Sequence, residues 1–350
     1  MLILAVNPGS TSTRIALYEK ERCVDSAKME HADAFLDLPL FPDQYRVRRQ
    51  SVLEHLERIG VEPRQLDGFA ARGGRLKPVS SGVYRVNEEM VRHAKQGLQG
   101  QHPANIAVVM AWDFEKEFGV PGYTVDPISV DELDETARIT GIKGIRRVSL
   151  SHALSMKSIA KKAARELGME YGDAGLIVTH LGGGGSISAH RRGRMVDLYN
   201  SDQEGPFAVE RAGGLPTLKL LEYMETKAIP IPEAVKELAH EGGMVSHFGM
   251  RNIQDILKLA ENDAGAKSVI DAYVYQIAKG VSSFLPLFGG RPDALAFTGG
   301  VIHIEKIRGM LADSLGFAGR LLWYPGEFEM EALAEGVRGV LSGDLLPLDY

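Results

Sequence analysis

The chain has 350 residues, of which 44% are hydrophobic and 25% charged, and this length and composition are typical of a globular protein with two domains. Its 40 basic and 46 acidic side chains give a net charge of −6, which argues against nucleic-acid binding through bulk positive charge. Cys23 is the single cysteine, which excludes an internal disulfide and a cysteine metal site. No apolar run approaches the ~18 residues of a membrane span. The short apolar start has no basic leader, so we expect a cytoplasmic protein without membrane or nucleic-acid partners.

The first predicted elements are two strands joined by a small-residue loop. The apolar residues 2–6 predict a buried strand and residues 14–18 a second one. Between them lies Asn7-Pro8-Gly9-Ser10-Thr11-Ser12-Thr13. Gly9 permits a sharp turn, and the small hydroxyl residues leave backbone N–H groups open to phosphate oxygens. The loop is not a Walker A motif, because it lacks the Gly-Lys-Ser/Thr ending and no helix is predicted after it.

Predicted helices and strands alternate along the rest of the chain. Apolar residues spaced by three and four predict helices at residues 51–59, 87–98, 104–118, 153–167, 253–259, 268–288 and 331–341. Further strands are predicted at residues 122–125, 177–180, 186–189, 194–198, 295–297 and 320–323. Residues 190–194 predict a hairpin turn with solvated arginines. The alternation favours an α/β protein with mixed sheets.

Two further glycine clusters follow predicted strands. His180-Leu181-Gly182-Gly183-Gly184-Gly185-Ser186 contains four consecutive glycines, each costing ~1 kcal/mol relative to alanine in a regular element. Such a run favours a backbone that must approach a bulky anion, and a merely flexible loop is the alternative. Phe297-Thr298-Gly299-Gly300-Val301 ends another strand before a helical segment, a junction that suits the phosphates or the adenosine of a nucleotide.

The two halves of the chain resemble each other. Residues 2–18 and residues 176–198 both predict strand, glycine- and serine-containing turn, and strand. Duplicated α/β units with one phosphate-binding hairpin each are the arrangement of the actin-like sugar-kinase superfamily. We therefore expect two duplicated actin-like (ribonuclease H-like) domains, with ATP held in an interdomain cleft that closes on substrate. The expected domains are residues 1–150 plus 333–350, with the final helix returning to the first domain, and residues 151–332.

The three glycine loops, in this order and at these spacings, resemble those of the acetate and butyrate kinases, and the resemblance covers essentially the whole chain. Its butyrate branch is favoured by Lys77-Pro78, Val125-Asp126-Pro127, Ser151-His152-Ala153-Leu154 and Glu204-Gly205-Pro206-Phe207. Acetate kinases carry Asn at the position of Gly183. The resemblance implies reversible transfer of the γ-phosphoryl group of ATP to butyrate or a branched acid such as isobutyrate, giving ADP and an acyl phosphate. A fatty-acid carboxylate is already ionised at neutral pH, so no general base is needed.

The resemblance also implies catalytic residues. Arg211 matches the arginine that stabilises the charge of the transition state, and His152 matches a histidine that donates to the transferring phosphoryl group. His180 is expected to orient the glycine loop. Arg72 is expected to bind the substrate carboxylate or phosphate, although it falls where acetate kinases have histidine. His102 is a second substrate-binding candidate, in a motif one residue shorter than that of the family.

Metal and nucleotide ligands follow in the same way. Asp126 matches an aspartate that organises magnesium, and Glu329, with Glu331 as the alternative, matches a second magnesium-associated carboxylate, a set that Mg²⁺ accepts together with phosphate oxygens and water. Arg251 matches an arginine near the adenosine. The expected ATP-binding residues are Asn7, Gly9, Ser10, Ser12, Arg14, Gly182, Gly183, Gly184, Gly185, Gly299 and Gly300.

Two other functions stay open. An acetate or propionate kinase would differ only in the acyl pocket, where a methylene changes kcat/KM by only ~10–200-fold. A non-catalytic actin-like nucleotide-binding module would need neither the cations nor the metal carboxylates. We expect a short-chain fatty acid as the small-molecule partner, and a homodimer or higher homo-oligomer.

Overall fold

The computed structural model of the protein describes residues 1–32, 35, 38–200 and 203–350. The chain divides into two units. The first comprises Met1–Glu132, Ala153–Ser155 and Phe328–Tyr350, and the second comprises Leu133–His152 and Met156–Glu327. Residues 133–150 thus group with the second unit, although the sequence placed them in the first domain. The expected domain boundaries stay a prediction.

The first unit contains a six-stranded mixed sheet with the order β3-β2-β1-β4-β6-β5. Strand β1 pairs antiparallel with β2 and parallel with β4, and β4 pairs parallel with β6. The strands are β1 (Leu2–Pro8), β2 (Ser12–Glu19), β3 (Arg22–Glu30), β4 (Gly68–Arg72), β5 (Val83–Arg85) and β6 (Gly122–Val125).

The second unit contains a five-stranded sheet with the order β11-β10-β7-β8-β9. Its strands are β7 (Leu176–Leu181), β8 (Gly185–Arg191), β9 (Arg194–Tyr199), β10 (Ala294–Gly299) and β11 (Leu321–Pro325). Strand β7 pairs antiparallel with β8 and parallel with β10, as β1 does with β2 and β4. The order β9-β8-β7-β10-β11 therefore repeats the order β3-β2-β1-β4-β6, and the predicted duplication of a mixed α/β unit is confirmed.

Helices connect these strands. In chain order they are α1 (Tyr45–Arg58), α2 (Glu88–Gln96), α3 (Asn105–Phe118), α4 (Glu135–Arg138), α5 (Ala153–Glu166), α6 (Thr217–Lys227), α7 (Ile231–Lys236), α8 (Gly243–Phe248), α9 (Ile253–Leu259), α10 (Ala264–Ser282), α11 (Glu305–Leu315) and α12 (Glu329–Ser342). Helix α10 begins before the predicted residue 268, because the Asp263 side chain accepts from Ala266 N at 2.6 Å and caps it. The predicted end at residue 288 combines this helix with a separate 3₁₀ turn, Leu285–Phe288.

The central strands are buried on both faces. Ile3, Leu4, Ala5 and Val6 of β1 have no exposed surface, and Leu176, Ile177 and Val178 of β7 are equally buried. In the first unit one face of the sheet packs on α3, and the other packs on α12. Burial of this kind contributes ~25 cal/mol per Å² of apolar surface. Among the described residues, no helix combines the length and the apolar character that a membrane span requires.

Gly336 of α12 shows how closely this helix packs on the sheet, and Gly309 of α11 is the control. A Cβ at Gly336 would lie 2.8 Å and 2.9 Å from the methyl groups of Val125, whereas a Cβ at Gly309 in α11 would meet nothing within 4 Å. We expect Gly336→Ala to lower the free energy of unfolding by about 1–3 kcal/mol through overpacking. Gly309→Ala should raise it by up to about 1 kcal/mol, since alanine is the better helix former. Urea unfolding measures both. If Gly336→Ala left the free energy of unfolding unchanged, α12 could move away from the sheet without loss of stability.

Candidate active site

The turn between β1 and β2 forms the first candidate phosphate-binding loop. The two strands stay in register up to the pairs Asn7–Arg14 and Pro8–Thr13. Gly9 N donates to Ser12 O at 2.8 Å and closes the turn. The next element is strand β2 and not a helix, as the sequence predicted. Because β1 is buried on both faces, the loop lies at the carboxyl end of a fixed strand.

Glu329, the first residue of α12, contacts two of the predicted site residues. Asn7 Nδ2 donates to Glu329 Oε2 at 2.6 Å, and Arg72 Nη2 lies 3.4 Å from Glu329 Oε1. Arg72 Nη1 is buried and has no hydrogen-bond partner within the described part of the chain. Glu331 lies instead where its charge acts on Tyr18, whose pKa is raised to about 12 mainly by burial. The structure thus brings Asn7, Arg72 and Glu329 together, with an Arg72 donor available for an anion.

Asp126 follows β6 and has an unusual backbone. Its φ of 39° is positive, and its side chain is buried. Asp126 Oδ1 accepts from Ser81 Oγ at 2.6 Å and from Gly82 N at 2.9 Å. Burial, with smaller contributions from the charges of Asp126 and Glu132, raises the pKa of Tyr84 to about 12. The hydrogen bonds from Ser81 and Gly82 hold the Asp126 carboxylate in one orientation, which a metal-organising aspartate would need.

No described group of three or more His, Cys, Asp or Glu side chains is arranged to hold a metal ion by itself. Mg²⁺ commonly takes only one or two carboxylates and completes its shell with phosphate oxygens and water. Asp126 and Glu329 are each oriented by hydrogen bonds from neighbouring residues, and their role as magnesium ligands stays a prediction.

The segment after Arg72 is glycine for packing reasons. A Cβ at Gly73 would collide with Pro127, and a Cβ at Gly74 would collide with Asn105. Asn105 Oδ1 accepts from Arg75 N at 2.8 Å and ties this segment to the start of α3. At the same helix start, His102 Nδ1 accepts from Ala104 N at 3.1 Å. His102 thus has a local capping contact, and its role toward substrate stays a prediction.

The second loop, residues 182–185, differs from these packed glycines. Gly182, Gly183 and Gly185 have no left-handed φ, and a Cβ at any of them would meet no atom closer than 3.4 Å. Gly182 N donates to Gly184 O at 2.9 Å, so the run is an ordered turn. None of the described neighbours requires these three residues to be glycine. A ligand that the backbone must approach closely would require it.

In the third cluster, Gly299 and Gly300, packing requires glycine at the first position and not at the second. Gly299 has a φ of 99°, and a Cβ there would run into the backbone of Leu181 on the neighbouring strand. Gly300 begins the 3₁₀ turn Gly300–His303, and a Cβ there would meet nothing within 4 Å. Gly299 is therefore explained by strand packing alone, whereas Gly300, like Gly9 in the first loop, has no such internal requirement.

Two histidines stack beside the glycine loop. The rings of His152 and His180 lie 4.3 Å apart at an interplanar angle of 16°. His152 Nδ1 lies 3.0 Å from the hydroxyl of Ser186, the residue directly after the glycines. Although His152 precedes α5, its side chain makes no capping hydrogen bond. The imidazole is therefore directed to the loop, and its role at the phosphates stays a prediction.

Glu210 links the glycine loop to two arginines. Its backbone N donates to Gly183 O at 2.9 Å. Its side chain lies 3.7 Å from Arg211 Nη1 through Oε2, and it accepts from Arg251 Nε at 2.9 Å through Oε1. The Arg211 side chain is 19% exposed and that of Arg251 is 66% exposed. Arg211 is therefore placed beside the glycine loop, with Glu210 between the two arginines.

Several residues of these clusters were not found from the sequence. Ser81 orients Asp126, Ser186 contacts His152, and Arg48 of α1 donates to the first loop. Ser186 ends the glycine motif but was not assigned a role, and nothing local marks Ser81. Arg48 lies in a helix whose apolar spacing is weak, so no signal in the sequence set it apart from the neighbouring arginines.

The sequence matches the acetokinase family over residues 137–322. The chain is 36% identical to butyrate kinase 1 of Clostridium acetobutylicum over 99% of both chains, and 37% identical to butyrate kinase 2 of that organism over 97% of both. Its fold is similar to that of Porphyromonas gingivalis acetate kinase, with a TM-score of 0.79 and 18% identity over 97% of this chain and 99% of that one. The fold is also similar to that of a Francisella tularensis propionate kinase, with a TM-score of 0.76 and 18% identity over 96% of this chain and 98% of that one. The chain therefore belongs to the acetokinase family and has its two-domain actin-like fold.

Proposed function

We propose that this protein is a short-chain carboxylate kinase that transfers the γ-phosphoryl group of ATP reversibly to butyrate, or to a branched acid such as isobutyrate. The products are ADP and an acyl phosphate. The observation that carries this proposal is the loop at residues 182–185, where the described neighbours do not require glycine at residues 182, 183 and 185. His152 contacts Ser186, directly after this loop, and Glu210, the neighbour of Arg211, donates its backbone N–H to Gly183. Full-length identity of 36% to a butyrate kinase supports the acyl specificity.

The chemistry needs positioned cations more than a proton acceptor. The acid is already a carboxylate nucleophile, and the transferring phosphoryl group spreads its charge over three equatorial oxygens. We propose that Arg211 and His152 stabilise that charge, and that His180 supports His152 through the stacked rings. We propose that Arg72 binds the substrate, because its buried Nη1 is directed at no acceptor in the described chain.

The nucleotide is proposed to bind through backbone N–H groups of the glycine loops. In the first unit the ligands would be Asn7, Gly9, Ser10, Ser12 and Arg14. In the second unit they would be Gly182, Gly183, Gly184 and Gly185 together with Gly299 and Gly300. Support comes from Gly9 and Gly300, where a Cβ would meet no atom closer than 3.5 Å.

Asp126 and Glu329 are the proposed magnesium ligands. Bound there, Mg²⁺ would neutralise charge on the β- and γ-phosphate oxygens. Both carboxylates are oriented by hydrogen bonds, from Ser81 and Gly82 in one case and from Asn7 in the other. Among the residues that the structure describes, Glu331 has no such contact to a predicted site residue, which favours Glu329 of the two.

We propose a cytoplasmic location, where ATP is available, and a homo-oligomeric state. Apolar side chains exposed on α6 and α7 support the second proposal. Leu218 is 80% exposed and Ile231 is 72% exposed. Exposed apolar patches are one mark of protein–protein interfaces.

The acyl specificity can be measured directly. With ATP, Mg²⁺ and acids from acetate to valerate, hydroxylamine trapping should reveal acyl phosphate, with a higher kcat/KM for butyrate or isobutyrate than for acetate. Equal or better turnover of acetate or propionate would contradict the butyrate assignment and leave the kinase in place. ATP binding without acyl phosphate from any acid would instead identify a nucleotide-binding module.

The glycine loop makes a second prediction. Gly182→Ala should leave the melting temperature near that of the wild type, because a Cβ there meets only ordinary contacts. It should weaken ATP binding by about 10-fold or more, since the Cβ blocks backbone approach to phosphate. Gly172→Ala is the matched control, because a Cβ at Gly172 also meets no close atom. Calorimetry and thermal melting compare the two variants. Equal ATP affinity in both would reduce the glycine run to an ordinary turn.

Arg211 is the third test. Arg211→Ala should lower kcat by about 10³-fold with little change in ATP affinity, because an interaction made in the transition state acts on kcat. Arg211→Lys should recover little, since an ammonium cannot span two oxygens. The control is Arg92→Ala, which removes the exposed arginine of the Arg92–Glu89 surface ion pair and should keep kcat near normal. Steady-state kinetics decide. Near-normal kcat in Arg211→Ala would reduce Arg211 to a surface ion pair, worth about 0–1 kcal/mol of stability.

A further inference from the structure

Arg48 of α1 lies directly behind the first loop, and its side chain has no exposed surface. Its Nη1 donates to Ser12 O and to Thr13 Oγ1, both at 2.9 Å. Its Nη2 donates to Gln44 Oε1 at 3.2 Å and more weakly to Ser10 O at 3.4 Å. Three of the four acceptors belong to the loop, so one guanidinium group spans the turn from residue 10 to residue 13.

The acceptors of this buried cation are neutral. Within the described part of the chain, no carboxylate forms an ion pair with Arg48. Burial lowers its pKa to about 10, so the side chain is still charged at neutral pH. A buried charge is costly unless it is well hydrogen-bonded, and the loop supplies three of the four acceptors, two carbonyls and one hydroxyl. The shape of the loop and the charge of Arg48 therefore depend on each other.

His31, just after β3, holds the same turn from the side. Its Nε2 lies 2.9 Å from Thr13 Oγ1, and its backbone N donates to Thr11 O at 2.9 Å. The Thr13 hydroxyl accepts from Arg48, which leaves its proton for His31 Nε2. Burial and the charge of Arg48 lower the pKa of His31, which agrees with an unprotonated acceptor nitrogen.

The direction of one loop carbonyl has a consequence for the peptide that follows. The N–H and C=O groups of a planar trans peptide point to opposite sides. Since Ser10 O is directed inward at Arg48, the N–H of Thr11 is directed away from it. Ser10 and Thr11 are exposed, whereas Ser12 and Thr13 are buried. Arg48 thus turns one backbone donor of the loop outward, on the side that a phosphate can reach.

We propose that Arg48 is a positioning residue for the nucleotide phosphates. It holds the loop at residues 9–13 from behind, so that outward N–H groups and the Ser10 hydroxyl bind phosphate oxygens that Arg48 itself does not touch. This proposal rests on the phosphate-binding role proposed above for the loop. A planar guanidinium with several donors can span these acceptors, and a lysine ammonium cannot.

The test compares three variants of the full chain. Arg48→Met removes the charge and the donors, Arg48→Lys keeps the charge on an ammonium that cannot span the loop acceptors, and Arg46→Met removes an exposed arginine of the same helix as the control. Calorimetry measures the affinity for ATP and for adenosine, which has no phosphates, and thermal melting reports on folding. We expect Arg48→Met to weaken ATP binding by about 10-fold or more, the effect of a lost hydrogen bond from a charged group. Adenosine affinity should change less than about 2-fold, and Arg46→Met should match the wild type with both ligands.

The other possible results also support or overturn the proposed role of Arg48. An Arg48→Met protein with the ATP affinity of Arg46→Met overturns the inference, and equal losses for ATP and adenosine overturn it in favour of a general structural role. If Arg48→Met does not fold, Arg48→Lys decides, because a selective loss of ATP affinity supports the inference and native affinity overturns it. Wild-type protein that binds ATP no better than adenosine and forms no acyl phosphate would overturn the proposed function as well, whereas normal acyl phosphate formation confines the failure to Arg48.

Discussion

The burial of β1 and β7 on both faces is the constraint on which the candidate site depends. A strand with no exposed side chains cannot shift or slip in register without exposing apolar surface, so its carboxyl end is a fixed point. In each unit the loop that leaves this end turns at once into an antiparallel partner strand. A loop bounded by two paired strands has little freedom of its own, which suits a backbone that must present its N–H groups to a ligand in a defined arrangement.

The glycines of this protein separate into two kinds once their surroundings are known. Those at Gly73, Gly74 and Gly299 are required by the protein, because a Cβ would overlap a neighbouring residue. Those at Gly183 and Gly300 are not required by it. The distinction matters because both kinds look identical in the sequence, where any cluster after a strand suggests a ligand. Only the second kind supports one, and these residues occur at the ends of β7 and β10.

The duplicated units, the two hairpin loops and the carboxylate after β6 could be predicted from the sequence, because strand periodicity and turn residues are local properties. The start of α10 was less accurate, since capping by Asp263 competes with apolar spacing. Helix α1 begins at Tyr45, before the predicted residue 51, although no side chain caps it. The contacts that orient the site could not be predicted. Arg48 and Ser12 are 36 positions apart, and Asn7 and Glu329 are 322 apart, so only the assembled fold shows that they meet.

The left-handed backbone at Asp126 limits which side chains can replace it. At a φ of 39° most residues are strained, and Asn, Asp and Gly are the ones that adopt this region at low cost. Replacement of Asp126 by Ala or Val would remove the carboxylate and also strain the backbone. Asn and Gly are therefore the substitutions that this position accepts with the least loss of stability. Asn is also the substitution that removes the charge while keeping an oxygen for Ser81 and Gly82. In this protein the positive φ of Asp126 therefore limits the substitutions that can remove the carboxylate without loss of stability, independently of any selection on activity.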